Sequence, residues 1–221
     1  MAIIRNGIQG GFSGTSGKLV GYYLRGQWVV RSLPQDNSKN KKGSAAQRLC
    51  RAKFTTVERF LFHIADFIDY GFGSEARERN ILAHNAAKSH NMKAFTADHQ
   101  FDYAQAKISY GHLPGLPEPK IESEAEGFRL RWKPECQAET EQSQPSVHDQ
   151  VMIAAYDDGK GEKDKNNKVF GIRTGAKRQK GTDFLPIPDN RKGHTFHIWV
   201  AFVSDDRKQV SSSQYLGTYV F

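Results

Sequence analysis

Six cations stand within fifteen residues of this chain: Lys39, Lys41, Lys42, Arg48, Arg51 and Lys53. Side chains of that type at that density neutralise phosphates or carboxylates, so the chemistry they suggest is polyanion binding. Ser44 can cap a helix, which places the last three cations in its first turns. Cations there add to the positive end of the helix dipole instead of offsetting it. Free amides and basic side chains are then aimed at the same guest anion. Arg31 extends the set, and Tyr22, Tyr23 and Trp28 beside it offer stacking surfaces. The expected polyanion-binding residues are therefore Arg31, Lys39, Lys41, Lys42, Arg48, Arg51 and Lys53. The competing reading is a solvated basic loop. No helix-turn-helix, zinc finger or ribonucleoprotein aromatic signature accompanies the charge.

Other reactive groups lack partners at useful spacing. Gly7, Gly10, Gly11, Gly14 and Gly17 invite a phosphate-loop reading, but Gly17-Lys18 is followed by Leu19 and the run leads into a strand, so tight turns between strands explain it better. His194 and His197, three apart in a strand, point to opposite faces. His84 and His90 diverge on a helix, and no Cys or His pair has zinc spacing. The loop Asp157-Asp158-Gly-Lys-Gly-Glu162-Lys-Asp164 lacks the alternating acids of a calcium loop. Cys50 and His63 share a helix about 20 Å apart, too far for a nucleophile and its base. Ser211-Ser-Ser213 has no glycine elbow, and Cys50 within an apolar stripe reads as a core residue. These spacings predict no catalytic residue, metal site or cofactor.

The elements that would position the cations follow from hydrophobic period. Lys18 to Leu24 and Gln27 to Leu33 are β-rich runs about a two-residue Arg25-Gly26 step, a hairpin. From Ser44 apolar residues recur at three- and four-residue steps, predicting one long helix that ends at Tyr70-Gly71. A second helix is expected from after Ser74 to about Met92, and a strand from Asp102 to Tyr110. His112 to Pro119 carries three prolines and a glycine, the composition of a domain boundary. Beyond it the period becomes two. Phe128, Leu130 and Trp132 alternate with arginines, Val151 to Tyr156 is a second run, Phe196 to Phe202 a third, and Tyr215 to Phe221 the last. Short strands with turns between them over about a hundred residues signal a β-sandwich.

Composition bounds the rest. Of 221 residues 38% are hydrophobic, too many for disorder, and no run reaches the ~20 apolar residues of a membrane span. The first residues lack a secretory h-region, and Cys50 and Cys136 imply no disulfide framework. The expected setting is cytoplasmic or within a larger particle. The net charge of +8 is concentrated: residues 1–54 hold ten Lys or Arg against Asp36 alone. A basic pole on a neutral body suggests an anionic partner.

Two resemblances add to this. Leu185-Pro-Ile-Pro-Asp-Asn-Arg-Lys-Gly-His-Thr-Phe-His-Ile-Trp-Val-Ala-Phe-Val resembles the fibronectin type III pattern of a leucine, a turn, then an aromatic opening an alternating strand. Trp132 would be that family's early tryptophan, and Phe196 stands where its tyrosine usually does. Nearly the whole chain resembles a family of uncharacterised bacterial proteins, common in Bacteroidetes and known as a domain of unknown function. The segments that carry this likeness are Gly10-Gly-Phe-Ser-Gly-Thr-Ser-Gly-Lys-Leu-Val-Gly-Tyr, Val29-Val-Arg-Ser-Leu-Pro, Gln47-Arg with Ala52-Lys-Phe, Asp102-Tyr, Gly111-His-Leu-Pro-Gly and Ser213-Gln-Tyr-Leu-Gly. The amino-terminal hairpin and basic helix are also similar to segments of phage and prophage proteins. The expected architecture is a basic α+β domain of β-hairpins and two helices at 1–113, a linker at 114–119, and an immunoglobulin or fibronectin type III-like sandwich at 120–221. The expected role is a non-enzymatic interaction or structural module with a protein partner or self-assembly; the alternative is nucleic-acid binding through the basic segment.

Overall fold

The computed structural model describes residues 2–4, 10–33, 43–134, 148–159 and 168–221. The chain divides into two compact units, 1–48 and 49–221. The class is mixed α+β, as the sequence predicts, with three α-helices among the described residues where two are expected. No helix among the described residues is long and apolar enough to cross a membrane.

The first unit is an antiparallel meander of β1 (Ala2–Ile4), β2 (Phe12–Ser16), β3 (Leu19–Leu24) and β4 (Gln27–Ser32), paired in chain order. The Arg25-Gly26 step has φ of 51° and 81°. Two positive values make the mirror-image turn whose twist matches that of the strands it joins. Across the hairpin Tyr23 opposes Trp28, with ring centroids 5.1 Å apart and edge to face. A Cβ on Gly11 would fall inside the Trp28 indole, so this glycine is the seat of the ring. Between residues 10 and 33 only Gly21 is buried.

Ser44 does start a helix. Its hydroxyl accepts from the Gln47 amide at 3.3 Å, and the Gln47 side chain accepts from the Ser44 amide at 3.0 Å, a reciprocal capping box. The expected single helix breaks at Ile64, with φ −95° and ψ 15°, into α1 (Ala45–His63) and α2 (Ala65–Glu78); α3 (Ala83–Asn91) follows. Gly71 lies inside α2 instead of ending it. The backbone at Ile108 packs where a Gly71 Cβ would stand, and the Tyr110 amide donates to the Gly71 carbonyl at 2.9 Å. Residues 102–110 are not the expected strand. Their backbone polar groups are satisfied by turns and side chains instead of a ladder: the Ala106 amide donates to the Asp102 carbonyl at 3.1 Å, the Lys107 amide to Asn91 Oδ1 at 3.0 Å and the Ile108 amide to Ser213 Oγ at 3.1 Å.

The strands of the second unit form two antiparallel sheets. β5 (Lys120–Glu124), β6 (Gly127–Arg131) and β9 (Thr182–Pro186) lie in the order β5-β6-β9. β7 (Gln150–Asp157), β8 (Val169–Ile172), β10 (Thr195–Val203) and β11 (Gln214–Val220) lie in the order β11-β10-β7-β8. Phe128 and Leu130 of β6, Val151 and Ile153 of β7 and Phe196, Ile198, Val200 and Phe202 of β10 share one core between the sheets. Period two sends the alternate residues the other way. There Met152, Ala154, Trp199 and Ala201 form a second core with Phe60 and Leu61 of α1, Phe67 and Phe72 of α2, and Ala86 and Ala87 of α3. The four-stranded sheet is therefore covered on both faces.

This differs from a division at 114–119. Leu113 and Leu116 are buried in the core between the sheets. The Leu116 amide donates to Gln214 Oε1 at 2.9 Å, and Arg178 Nη2 donates to the Pro114 carbonyl at 2.8 Å. Arg178 is itself buried with Asp149, its Nε 3.3 Å from the Oδ2, each side chain 1% exposed. Trp132 donates its indole N–H to the Arg178 carbonyl at 2.8 Å and packs edge-on against Phe202.

Two outcomes are expected. Trp132→Ala should cost about 3–5 kcal/mol in denaturant unfolding, the range for deleting a large buried aromatic; a loss below about 1 kcal/mol would contradict its burial. Residues 49–221 should melt cooperatively. Residues 116–221 alone would leave Trp199 and its neighbours uncovered, so they should bind a hydrophobic dye and lack a sharp melt.

Candidate functional site

Of the sequence-predicted cations, Arg31, Arg48, Arg51 and Lys53 fall within the described residues. Arg31 is exposed on β4 with its guanidinium carbon 5.9 Å from the Tyr22 ring centroid. Arg48 and Arg51 are exposed on α1. Lys53 is half-buried, its ammonium 4.9 Å from the Phe95 ring centroid. Lys39, Lys41 and Lys42 lie outside the described residues, as do Cys136 and the acidic loop from 160 to 167. Arg31 and Arg48 belong to the first unit, Arg51 and Lys53 to the second. The Ser44–Gln47 capping box satisfies the Gln47 amide, one of the free donors on which an anion site at this helix start relies.

Cys50 is exposed, contrary to the expected core position. The buried residues of α1 are Val57, Phe60 and Leu61, while Leu49 and Phe54 are exposed. The amphipathic period runs along the whole helix, but the second core receives only its carboxy-terminal half.

What the spacing of charges misses is the surface of the first unit. Leu19, Tyr23, Leu24, Trp28, Val30 and Leu33 are all exposed, Trp28 at 43% and Val30 at 52%. A signal for this was present. Leu19, Val20, Tyr22, Tyr23 and Leu24 place apolar side chains on both faces of β3, so neither face is polar. The described cations of this unit are Lys18, Arg25, Arg31 and Arg48, and it has no described acidic residue.

The second unit holds a cleft of about 920 Å³ between α1, α3 and the ends of β7 and β8, lined by Glu58, Phe62, His63, His84, Tyr156 and Lys168 among others. Glu58 is ion-paired with Lys88 and lies 3.1 Å from His84 Nε2. Lys88 holds the Glu58 carboxyl below the usual range, against the opposing effect of burial. Burial pushes the His63 imidazole below its ordinary value and Lys168 adds to the effect. Its Nδ1 is buried with no hydrogen-bond partner among the described residues. Thr55 donates its hydroxyl to the Arg51 carbonyl at 2.9 Å. The Glu58 carboxylate is thus engaged by a lysine and the Thr55 hydroxyl by a carbonyl.

Other buried polar groups pair with one another. Asp157, almost fully buried, lies 2.8 Å from His194 Nδ1 and 3.2 Å from Arg191 Nη1, and accepts from the Gly159 amide at 2.7 Å. His197 stacks on Tyr103 with centroids 4.1 Å apart, and its Nδ1 lies 2.8 Å from the Tyr215 hydroxyl. Burial lowers the His197 pKa against the opposing pull of Asp158. Ser211 Oγ accepts from the Phe202 amide at 2.8 Å, and Ser212 donates to the Gly111 carbonyl at 3.1 Å. Among the described residues no three His, Cys, Asp or Glu side chains gather to hold a metal ion.

The two depressed histidines fix a pH dependence. Each binds its proton more weakly folded than unfolded. The stability they contribute is therefore present above the unfolded value of about 6.5 and lost as pH falls below it toward the folded value. The melting temperature should drop between about pH 7.5 and 5.5. His63→Gln with His197→Gln should flatten that slope; an unchanged slope in the double variant would assign it to other groups.

A family model described as a family of unknown function (DUF6266) matches residues 11–217. No curated protein and no solved structure matches the chain.

Proposed function

This chain belongs to DUF6266, a family of unknown function, and we propose that it is a non-enzymatic interaction module within a multiprotein assembly. The first unit attaches to a partner, and the second is a rigid body built on a fibronectin type III-like sandwich. The strand orders β5-β6-β9 and β11-β10-β7-β8 with one core between them support the sandwich reading. The observation that carries the function is the exposure of six large apolar side chains between Leu19 and Leu33, where only Gly21 is buried. A small sheet with so little of its own core is completed by another surface.

Magnitudes decide what the partner must add. Each of these side chains is already about half covered, so finishing its burial contributes on the order of 1 kcal/mol. Six of them only just offset the roughly 4–15 kcal/mol cost of association. The cations must contribute the remainder, so the attachment weakens with salt.

A photocrosslinking residue at Leu24, in cells that carry the protein, should give one discrete protein adduct. The same residue at Val220, exposed in the second unit, should give none. Equal labelling at both positions, or none at Leu24, refutes the attachment role. The concentration of charge favours a second reading, nucleic-acid binding. Its signature is duplex binding with a log–log salt slope of about −0.9 per phosphate contacted. Reversing Arg31, Lys41, Lys42, Arg48 and Arg51 to Glu would abolish such binding. If the unaltered chain binds no duplex at low salt, that reading fails.

A further inference from the structure

We propose that the open edge of β4 is a strand-addition site for an extended acidic segment of another protein. The inference rests on the attachment role of the first unit and names how the partner docks. β4 ends the sheet order β1-β2-β3-β4, so among the described residues only one of its edges is paired. In a two-residue hairpin the residues flanking the turn, here Leu24 and Gln27, exchange both backbone hydrogen bonds, and alternate pairs repeat that exchange. Gln27, Val29 and Arg31 therefore spend their backbone groups on β3. Trp28, Val30 and Ser32 direct theirs to the open edge. An incoming strand would pair with these three residues.

The side chains define what that strand carries. The register puts Trp28 and Val30 on one face with Tyr23 and Leu19, all exposed. Arg31 lies on the other face with Tyr22 and Val20. A matching segment of about six residues, some 20 Å long, is apolar on the first face and acidic on the second.

Charge selects among occupants. Residues 1–48 hold eight Lys or Arg against one acidic residue. Edge cations are the usual defence against pairing with a like edge, so a second copy meets repulsion. Residues 49–221 offer no acidic excess either, with twenty-four Lys or Arg against twenty-three acids. A nucleic-acid chain would use neither the open backbone edge nor the aliphatic Leu19 and Val30. It would want free aromatic faces, and Trp28 is already seated on Gly11 and against Tyr23.

The test titrates the full chain with a labelled, blocked peptide of about eight residues alternating Glu and Val, long enough to span β4. Its counterparts alternate Lys and Val, or carry N-methyl groups on the Val amides. Val30→Pro removes one outward donor without touching the β3 ladder. The Glu/Val peptide should bind at low salt. N-methylation and Val30→Pro, with far-UV circular dichroism unchanged, should each weaken it at least about tenfold, the worth of one or two backbone hydrogen bonds. Arg31→Glu should shift the preference toward the Lys peptide. The N-methyl comparison uses the unaltered protein, so it holds even if the proline variant unfolds. No binding of the Glu peptide, equal binding of the N-methylated or Lys peptide, or duplex DNA displacing it at an unpaired edge overturns the proposal. So does self-association on sedimentation that Val30→Pro abolishes, which would make the occupant a second copy. Failure of the peptide alongside a discrete adduct at Leu24 removes strand addition and leaves the attachment role standing.

Discussion

The second unit depends on the pairing of β7 with β10, from Gln150 opposite Val203 to Asp157 opposite Phe196. Because side chains alternate across a strand, one ladder presents Val151, Ile153, Val200 and Phe202 to one core and Met152, Ala154, Trp199 and Ala201 to another. Neither face meets water, so each needs its own cover. The three-stranded sheet supplies one and the helices the other. Shifting the register by one residue would exchange the two sets and mismatch both. Trp199 ties the layers further by donating its indole N–H to the Ala106 carbonyl at 3.0 Å, which fixes the irregular segment that follows the helices.

That arrangement explains why polar residues resembling reactive groups are engaged elsewhere. The Ser213 hydroxyl accepts from the Ile108 amide, the Ser212 hydroxyl donates to the Gly111 carbonyl, and the Ser109 hydroxyl donates to the Ser211 carbonyl. Glu75 holds both Arg79 and His90, the first at 2.7 Å and the second at 2.9 Å. Arg178 and Asp149 enclose a charge pair beside Trp132. Buried charges are tolerated when they are paired and hydrogen-bonded, and each of these clusters meets that condition.

The first unit obeys an opposite rule. Its strands are set by local signals alone, a two-residue turn and glycines that admit aromatic rings. Such signals shape a hairpin without burying it. The apolar side chains that result are exposed. Among the described residues the buried apolar side chains lie in the second unit, while residues 10–33 of the first are almost all exposed or half-buried.

By itself the sequence determined what is local. The Arg25-Gly26 hairpin, the cap at Ser44, the alternation that makes β6, β7, β10 and β11, and the crowding of cations into the first quarter all follow from neighbouring residues. Near-uniform burial along Val151–Tyr156 and Phe196–Val203 goes beyond that alternation, which predicts one buried face. Only the tertiary structure decided which long-range surfaces meet. It broke one helical period at Ile64, carried α2 past Gly71 where the 108–110 backbone packs, and left Cys50 and Phe54 outside a core that their spacing fitted. Period reports that a face is apolar and says nothing of what covers it. The cover comes from residues a hundred positions away, as when the Ser213 hydroxyl meets the Ile108 amide.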